Sequence, residues 1–350
     1  MKRIITSVLC ASVASPAFAI IELTDNFSLS GFGSTSWATS DNDNPLIINR
    51  GFTDENCYDC DTTFGVQLDY FYNSFKASVQ VVKPPQYDWS DPQLEWAYLG
   101  YEFNDFDVSV GRLRLPLFLA SEYYYVGQAY MTARPPTEVY NSVLGITAFN
   151  GIKVSWTHDV SDEATLLLSP FFGIKDNNEV DFNSTTELEF ETNRMFGANL
   201  QLSGEDYRWN LSFLDSNFDQ TVKIKNIGSL PTADNQHIQL WSLGAEYEFG
   251  QAVLASEGQI SDFSSSMYAS LGYHLGSFTP YVVYGAQFDD HEHLNGNSYL
   301  VGVDYDVLPN VSINGEVQYF ESKKSNGVFI DTPTGDRDAM LYTIMLSFVF

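Results

Sequence analysis

The residues able to do chemistry are few and scattered. Cys57-Tyr58-Asp59-Cys60 has the Cys-x-x-Cys spacing of redox dithiols and of half a zinc site. No helical pattern follows it to lower a thiol pKa. Beyond Cys10 these are the only cysteines, so a disulfide that staples a loop is the expectation. His291-Glu292-His293 sets two imidazoles two residues apart, a weak metal signal in a loop, and no metal is expected there. Arg112 and Arg114 lie two apart, on one face of an extended chain, and Lys153 is a further isolated cation. The chain contains no Gly-x-Ser-x-Gly, no phosphate-binding loop and no His-Glu-x-x-His. The residues therefore point away from an enzyme and call for no cofactor.

The elements that position these groups begin after a leader. Met1-Lys2-Arg3 is basic, Ile4 to Ala14 is mostly apolar, and Ser15-Pro16-Ala17-Phe18-Ala19 ends in a small-x-small pattern. Residues 1–19 read as a signal peptide cut after Ala19, which leaves 20–350 as an exported chain. Val8-Leu9 ahead of Cys10 is the wrong context for lipidation. The net charge is −28; without Lys2 and Arg3, 15 basic residues face 45 acidic ones, or −30. That acidity excludes nucleic acid as a partner. Aromatic residues make up 15% of the chain, which excludes a disordered polymer.

The dominant period is two. Trp241, Leu243, Ala245, Tyr247 and Phe249 alternate with Ser242, Gly244, Glu246 and Glu248. Tyr299, Val301, Val303, Tyr305 and Val307 alternate with Gly302, Asp304 and Asp306. Sixteen such stretches occur, near 27–39, 62–72, 75–83, 95–103, 106–114, 150–158, 164–174, 193–203, 207–215, 237–249, 251–261, 267–275, 278–288, 298–307, 311–321 and 340–350. Their connectors alternate short and long, with 40–61, 84–94, 115–149, 175–192, 216–236, 262–266, 289–297 and 322–339 as the long set. An even strand count with alternating connectors puts all short turns on one side and all long loops on the other. The apolar faces are too many to bury against each other, but they suit lipid. In hydrocarbon a sheet must close on itself, because no backbone N–H or C=O can be left unpaired. The expected fold is an all-β transmembrane antiparallel barrel of sixteen strands with a polar, water-filled interior. Tyr342, Ile344, Leu346, Phe348 and Phe350 form the lipid face of the closing strand.

Signal peptide, sixteen strands, short turns and a terminal Phe350 together resemble the general diffusion porins of Gram-negative outer membranes. The resemblance implies a homotrimer in outer-membrane lipid and lipopolysaccharide. It also implies a final strand, Tyr342 to Phe350, that is read by the barrel-assembly machinery. It further implies that the long third loop, here 115–149, folds inside the barrel as a constriction. The preceding Gly111-Arg112-Leu113-Arg114 is similar to the family's Gly-Arg constriction strand, although the family's Pro-Glu-Phe-Gly-Gly turn is missing from the loop.

An outward Arg at mid-membrane costs roughly 2–4 kcal/mol. Arg112 and Arg114 are therefore expected inward, with a bulge at Gly111 correcting the parity of Val108 and Val110. With Lys153 at similar height on the next strand they would form a basic wall. Glu122 and Glu138 of the inserted loop, with Arg134 beside them, would face it and set a transverse field. Salt bridges that only tether the loop are the competing reading. Tyr123, Tyr124, Tyr125, Tyr130 and Tyr140 either stack on sugars or pack the loop against the wall. The acids of the outer loops, Asp41, Asp43, Asp54, Asp59 and Asp61 among them, are solubilising or bridge divalent cations to lipopolysaccharide. Lumenal Glu246, Glu257, Asp304 and Glu316 tilt the expected selectivity toward cations. The expected function is passive diffusion of small hydrophilic solutes. A substrate-selective channel and a non-conducting barrel, enzyme or adhesin, are the alternatives.

Overall fold

Asn73 and Asn104 adopt left-handed φ of 55° and 52°, and Gly250 and Gly276 do the same at 64° and 68°. These are the conformations that two-residue hairpin turns require, and Asn and Gly reach them at least cost. They close one rim of a barrel seen in a computed structural model that describes residues 20–86, 89–183, 185–323, 326–331, 333 and 335–350. The leader expected over 1–19 lies outside the described residues.

All sixteen expected strands form, in sequence order and antiparallel, as one sheet. The first strand, Phe27–Ser40, pairs with the last, Asp338–Val349, from Val349↔Phe32 to Leu341↔Ser40, so the sheet closes. Two further segments extend staves rather than add them. Ile21–Thr24 folds back on the first strand, and Asp176–Asp181 prolongs Ala164–Gly173 along Thr186–Ser203. Phe350 exchanges both backbone hydrogen bonds with Gly31, at 2.7 and 2.8 Å. Gly33 leaves the space that the Phe348 ring fills; a Cβ there would lie 2.6 Å from it. The small residues of the first strand thus receive the aromatic residues of the last.

The outward positions are apolar and exposed, Leu99 at 62% and Val301 at 63% among them. Such a continuous apolar surface suits hydrocarbon and not water. Near the short-turn rim, Phe75 meets Tyr101 at 5.2 Å, Phe103 meets Phe106 at 5.5 Å and Phe278 meets Tyr305 at 4.5 Å. This is the aromatic belt expected at a lipid–water boundary.

Three connectors differ from expectation. Residues 216–236 are mostly sheet: Tyr207–Ile224 and Gly228–Phe249 pair from Tyr207↔Tyr247 out to Ile224↔Gly228. Residues 175–192 contain the paired strand Asp176–Asp181. The stretch 262–266 shrinks to a turn at Asp262-Phe263, because Ser264, Ser265 and Ser266 pair with Asp289, Phe288 and Gln287. Polar sequence does not by itself mark a loop. Above a membrane both faces of a strand meet water, so the ladder continues without an apolar face.

Candidate pore constriction

Loop 115–149 enters the lumen and follows its wall. The carbonyl of Pro116 accepts from Ser212 Oγ at 3.0 Å, and that of Leu117 accepts from Asn210 Nδ2 at 3.2 Å. The N–H of Leu119 donates to Glu257 Oε1 at 2.7 Å. The Tyr123 hydroxyl accepts from Arg208 at 2.6 Å. Gln128 reaches the short-turn rim and donates to the Pro309 carbonyl at 3.2 Å. The chain then climbs: Asn314 donates to the Met131 carbonyl at 2.8 Å, and Ala133 N–H donates to Glu316 Oε1 at 2.7 Å. Glu138 accepts from Ser298 Oγ on a further strand and lies against Gly285, which has no side chain to exclude it.

The lumen is not polar throughout, contrary to expectation. Leu117, Val126, Val139 and Tyr140 of the loop pack in one buried cluster with inward-facing Leu113, Phe149, Phe171, Leu214, Leu240, Val283 and Leu300. The inward positions of these strands mix polar and apolar side chains, which a two-residue period does not distinguish from a wet wall. Tyr124 stacks on Tyr140 at 5.8 Å with planes 17° apart, and Tyr124 meets Tyr125 edge-on at 4.9 Å. All three rings are buried, so their faces serve packing and are closed to a sugar. Tyr123 and Tyr130 are half-buried.

The charged residues singled out from the sequence separate into three places. Lys153 pairs with Ser109 on the lumenal face, and its Nζ lies 3.6 Å from Glu122 Oε1. The Glu122 side chain is 61% exposed and that of Lys153 18%, so water reaches the pair. Arg114 is buried at the root of the loop, paired with Glu95 and stacked 5.1 Å from the Trp96 ring and 5.5 Å from Tyr125. Arg112 stands apart. Both ladders run through Gly111 in register, so the expected bulge is absent and Arg112 keeps the parity of Val110. Its guanidinium donates to the Leu94 carbonyl and to Asp176, each at 2.9 Å. The bulge lies instead in the neighbouring strand: Gln80↔Trp96 is followed by Val81↔Leu94, leaving Glu95 as the extra residue beside Arg114.

Arg134 and Glu138 face away from Lys153. Arg134 is buried over the Phe52 ring and donates to Asp61 at 2.9 Å and Thr343 at 2.8 Å, with Glu316 at 3.7 Å. Arg50 holds the other oxygen of Asp61 at 3.0 Å. Burial alone would raise the Asp61 pKa, but Arg134 and Arg50 outweigh it and hold the carboxyl below its ordinary value. Asp61 is neither the solubilising nor the cation-bridging acid that its loop position suggests: it is 2% exposed and joins the first loop to the third. Arg50, Glu95 and Lys76 were not singled out. Lys76 could have been found from inward parity, since it sits beside Ser109 and Asp107 around the lumenal Gly100. Cys57 and Cys60 are joined by a disulfide one residue before Asp61.

No family model matches the sequence, and no curated protein matches it. Solved structures do match in fold. The anion-selective porin from Comamonas acidovorans aligns with a TM-score of 0.64 at 12% identity, over 93% of this chain and 99% of that one. The fold is that of the sixteen-stranded porins. OmpT of Vibrio cholerae aligns at a TM-score of 0.61 and 12% identity, over 95% of this chain and all of that one. OmpF of Salmonella typhi, solved with daunomycin, aligns at 0.60 and 11%, over 94% of this chain and all of that one. The porin fold therefore accounts for essentially the whole described chain.

Proposed function

We propose that this protein is a passive outer-membrane channel for small hydrophilic solutes and ions. The observation that carries this reading is the ion pair between Glu122 on the inserted loop and Lys153 on the wall, with both side chains partly exposed. Opposite charges in direct contact at 3.6 Å, one on the loop and one on the wall, set a local field beside the water-filled path. Lys76, Asp107 and the Arg208–Glu246 pair continue a wall of mixed sign. Arg114 and Arg134 tether the loop, while Arg112 binds the long-loop rim. The formal charge of −28 favours cations at the pore mouth, while Glu257 and Glu316 are buried as anchors of the loop. A homotrimer in lipid and lipopolysaccharide, assembled through the Tyr342–Phe350 strand, completes the reading. It involves no catalytic step. The OmpT fold neighbour from Vibrio cholerae has been solved in a trimer form.

The apolar cluster around the loop supports a second reading, a barrel too filled to conduct that instead displays its outer loops. Single-channel recording of the refolded protein in a planar bilayer separates the two. Discrete current steps, with a reversal potential in a salt gradient that moves toward anions in Glu122→Gln, support the channel. Silence from a verified folded barrel refutes it.

A further inference from the structure

The turn 289–293 at the long-loop rim gathers two imidazoles and two carboxylates. The Asp289 Oδ1 atom accepts from the backbone N–H groups of both His291 and His293, at 2.9 and 2.8 Å. Glu292 between them takes a left-handed φ of 62°, which turns the chain so that both rings project to one side. Those rings stack 6.2 Å apart, 14° from parallel. Asp289 Oδ2 is left free of the amides and lies 3.2 Å from His293 Nδ1. The Nδ1 of His291 lies 2.7 Å from Asp290 Oδ1. Donor atoms of Asp289, Asp290 and His291 fall within 4.8 Å of one another.

We propose that Asp289, Asp290, His291 and His293 bind one borderline divalent metal ion, of which Zn²⁺ is the type. In a tetrahedral shell with bonds of about 2.0–2.1 Å, neighbouring ligand atoms sit roughly 3.3 Å apart. Asp289, Asp290 and His291 already offer donor atoms within 4.8 Å of one another, while the His293 ring, held by Asp289 but 6.2 Å from that of His291, turns inward to complete the shell. Two imidazoles beside two carboxylates select zinc, copper or nickel over calcium, which prefers an all-oxygen shell. The sequence pattern alone was weak because the carboxylates that complete the set become neighbours only once the turn forms.

The test uses the full folded chain in detergent micelles, titrated calorimetrically with ZnCl₂, and does not depend on conduction. The expected result is one ion per chain, with at least tenfold weaker binding in both His291→Ala and His293→Ala. His237→Ala is the control, because that imidazole also lies near carboxylates, Asp215 at 2.9 Å and Asp262 at 3.9 Å, and should leave binding unchanged. Cobalt(II) added in place of zinc should show visible d–d absorption that both turn variants abolish. Four results would overturn the proposal: no zinc binding, unaltered affinity in the two turn variants, an equal loss in His237→Ala, or displacement of zinc by millimolar Ca²⁺.

Discussion

Replacing Asp61 with Asn should release two loops at once. The Asp61 carboxylate is buried and accepts from Arg50 and Arg134, cations on the first and third loops. Removing one member of a buried ion pair costs about 3–5 kcal/mol, because the partner's charge stays desolvated. Two features pull the value to the low end. An Asn oxygen still accepts one hydrogen bond, and Glu316 remains 3.7 Å from Arg134. At about 3 kcal/mol, the released population rises roughly a hundredfold. The assay is native-state trypsin cleavage after Arg50, which precedes Gly51 and is buried while docked; Arg134 precedes Pro135 and resists trypsin. When opening and closing are fast, the cleavage rate tracks the open population. Cleavage of Asp61→Asn within threefold of the wild-type rate would refute the claim that this carboxylate holds the loops. The pH dependence has a fixed sign. Asp61 titrates lower docked than free, so its contribution is complete above the free carboxyl pKa. It fades as pH falls through the lower docked value. Hydrogen exchange of the first-loop amides, readable in acid where trypsin is inactive, should therefore show wild-type protection that persists through ordinary acid conditions and fails only below the usual carboxylate range, a step that Asp61→Asn lacks.

Lys153→Gln should move the reversal potential toward cations, opposite in sign to Glu122→Gln. Equal shifts in one direction, read in the same salt gradient, would remove the pair from the ion path. Gly111→Ala should lower the urea midpoint of the lipid-embedded barrel. Its φ of 140° alone costs an Ala roughly 1–3 kcal/mol, and the added Cβ would collide with the Ala97 carbonyl. Deleting Phe350 removes both hydrogen bonds to Gly31 at the closing seam. The expected result is a lower yield of assembled barrel in cells; an unchanged yield, measured by heat-shifted migration in gels, would argue against its role in assembly.

The number of strands and their outward faces were legible because the surroundings impose them residue by residue. Lipid demands an apolar side chain at every second position and pairing of every backbone group. The alternation in 237–249 or 340–350 therefore carries its own orientation, and short turns at Asn73 and Asn104 mark where the chain reverses. No such local rule governs the interior. Arg134 meets Thr343 across 209 residues of sequence, and Glu138 meets Ser298 across 160. Arg112 and Arg114 share the parity of Val110, yet one pairs with Asp176 at the rim and the other is buried at the loop root beside the bulged Glu95. Local periodicity settled the cylinder because each residue meets the membrane independently. The contents of the cylinder depend on where one loop touches many strands, and that contact set exists only in the folded chain.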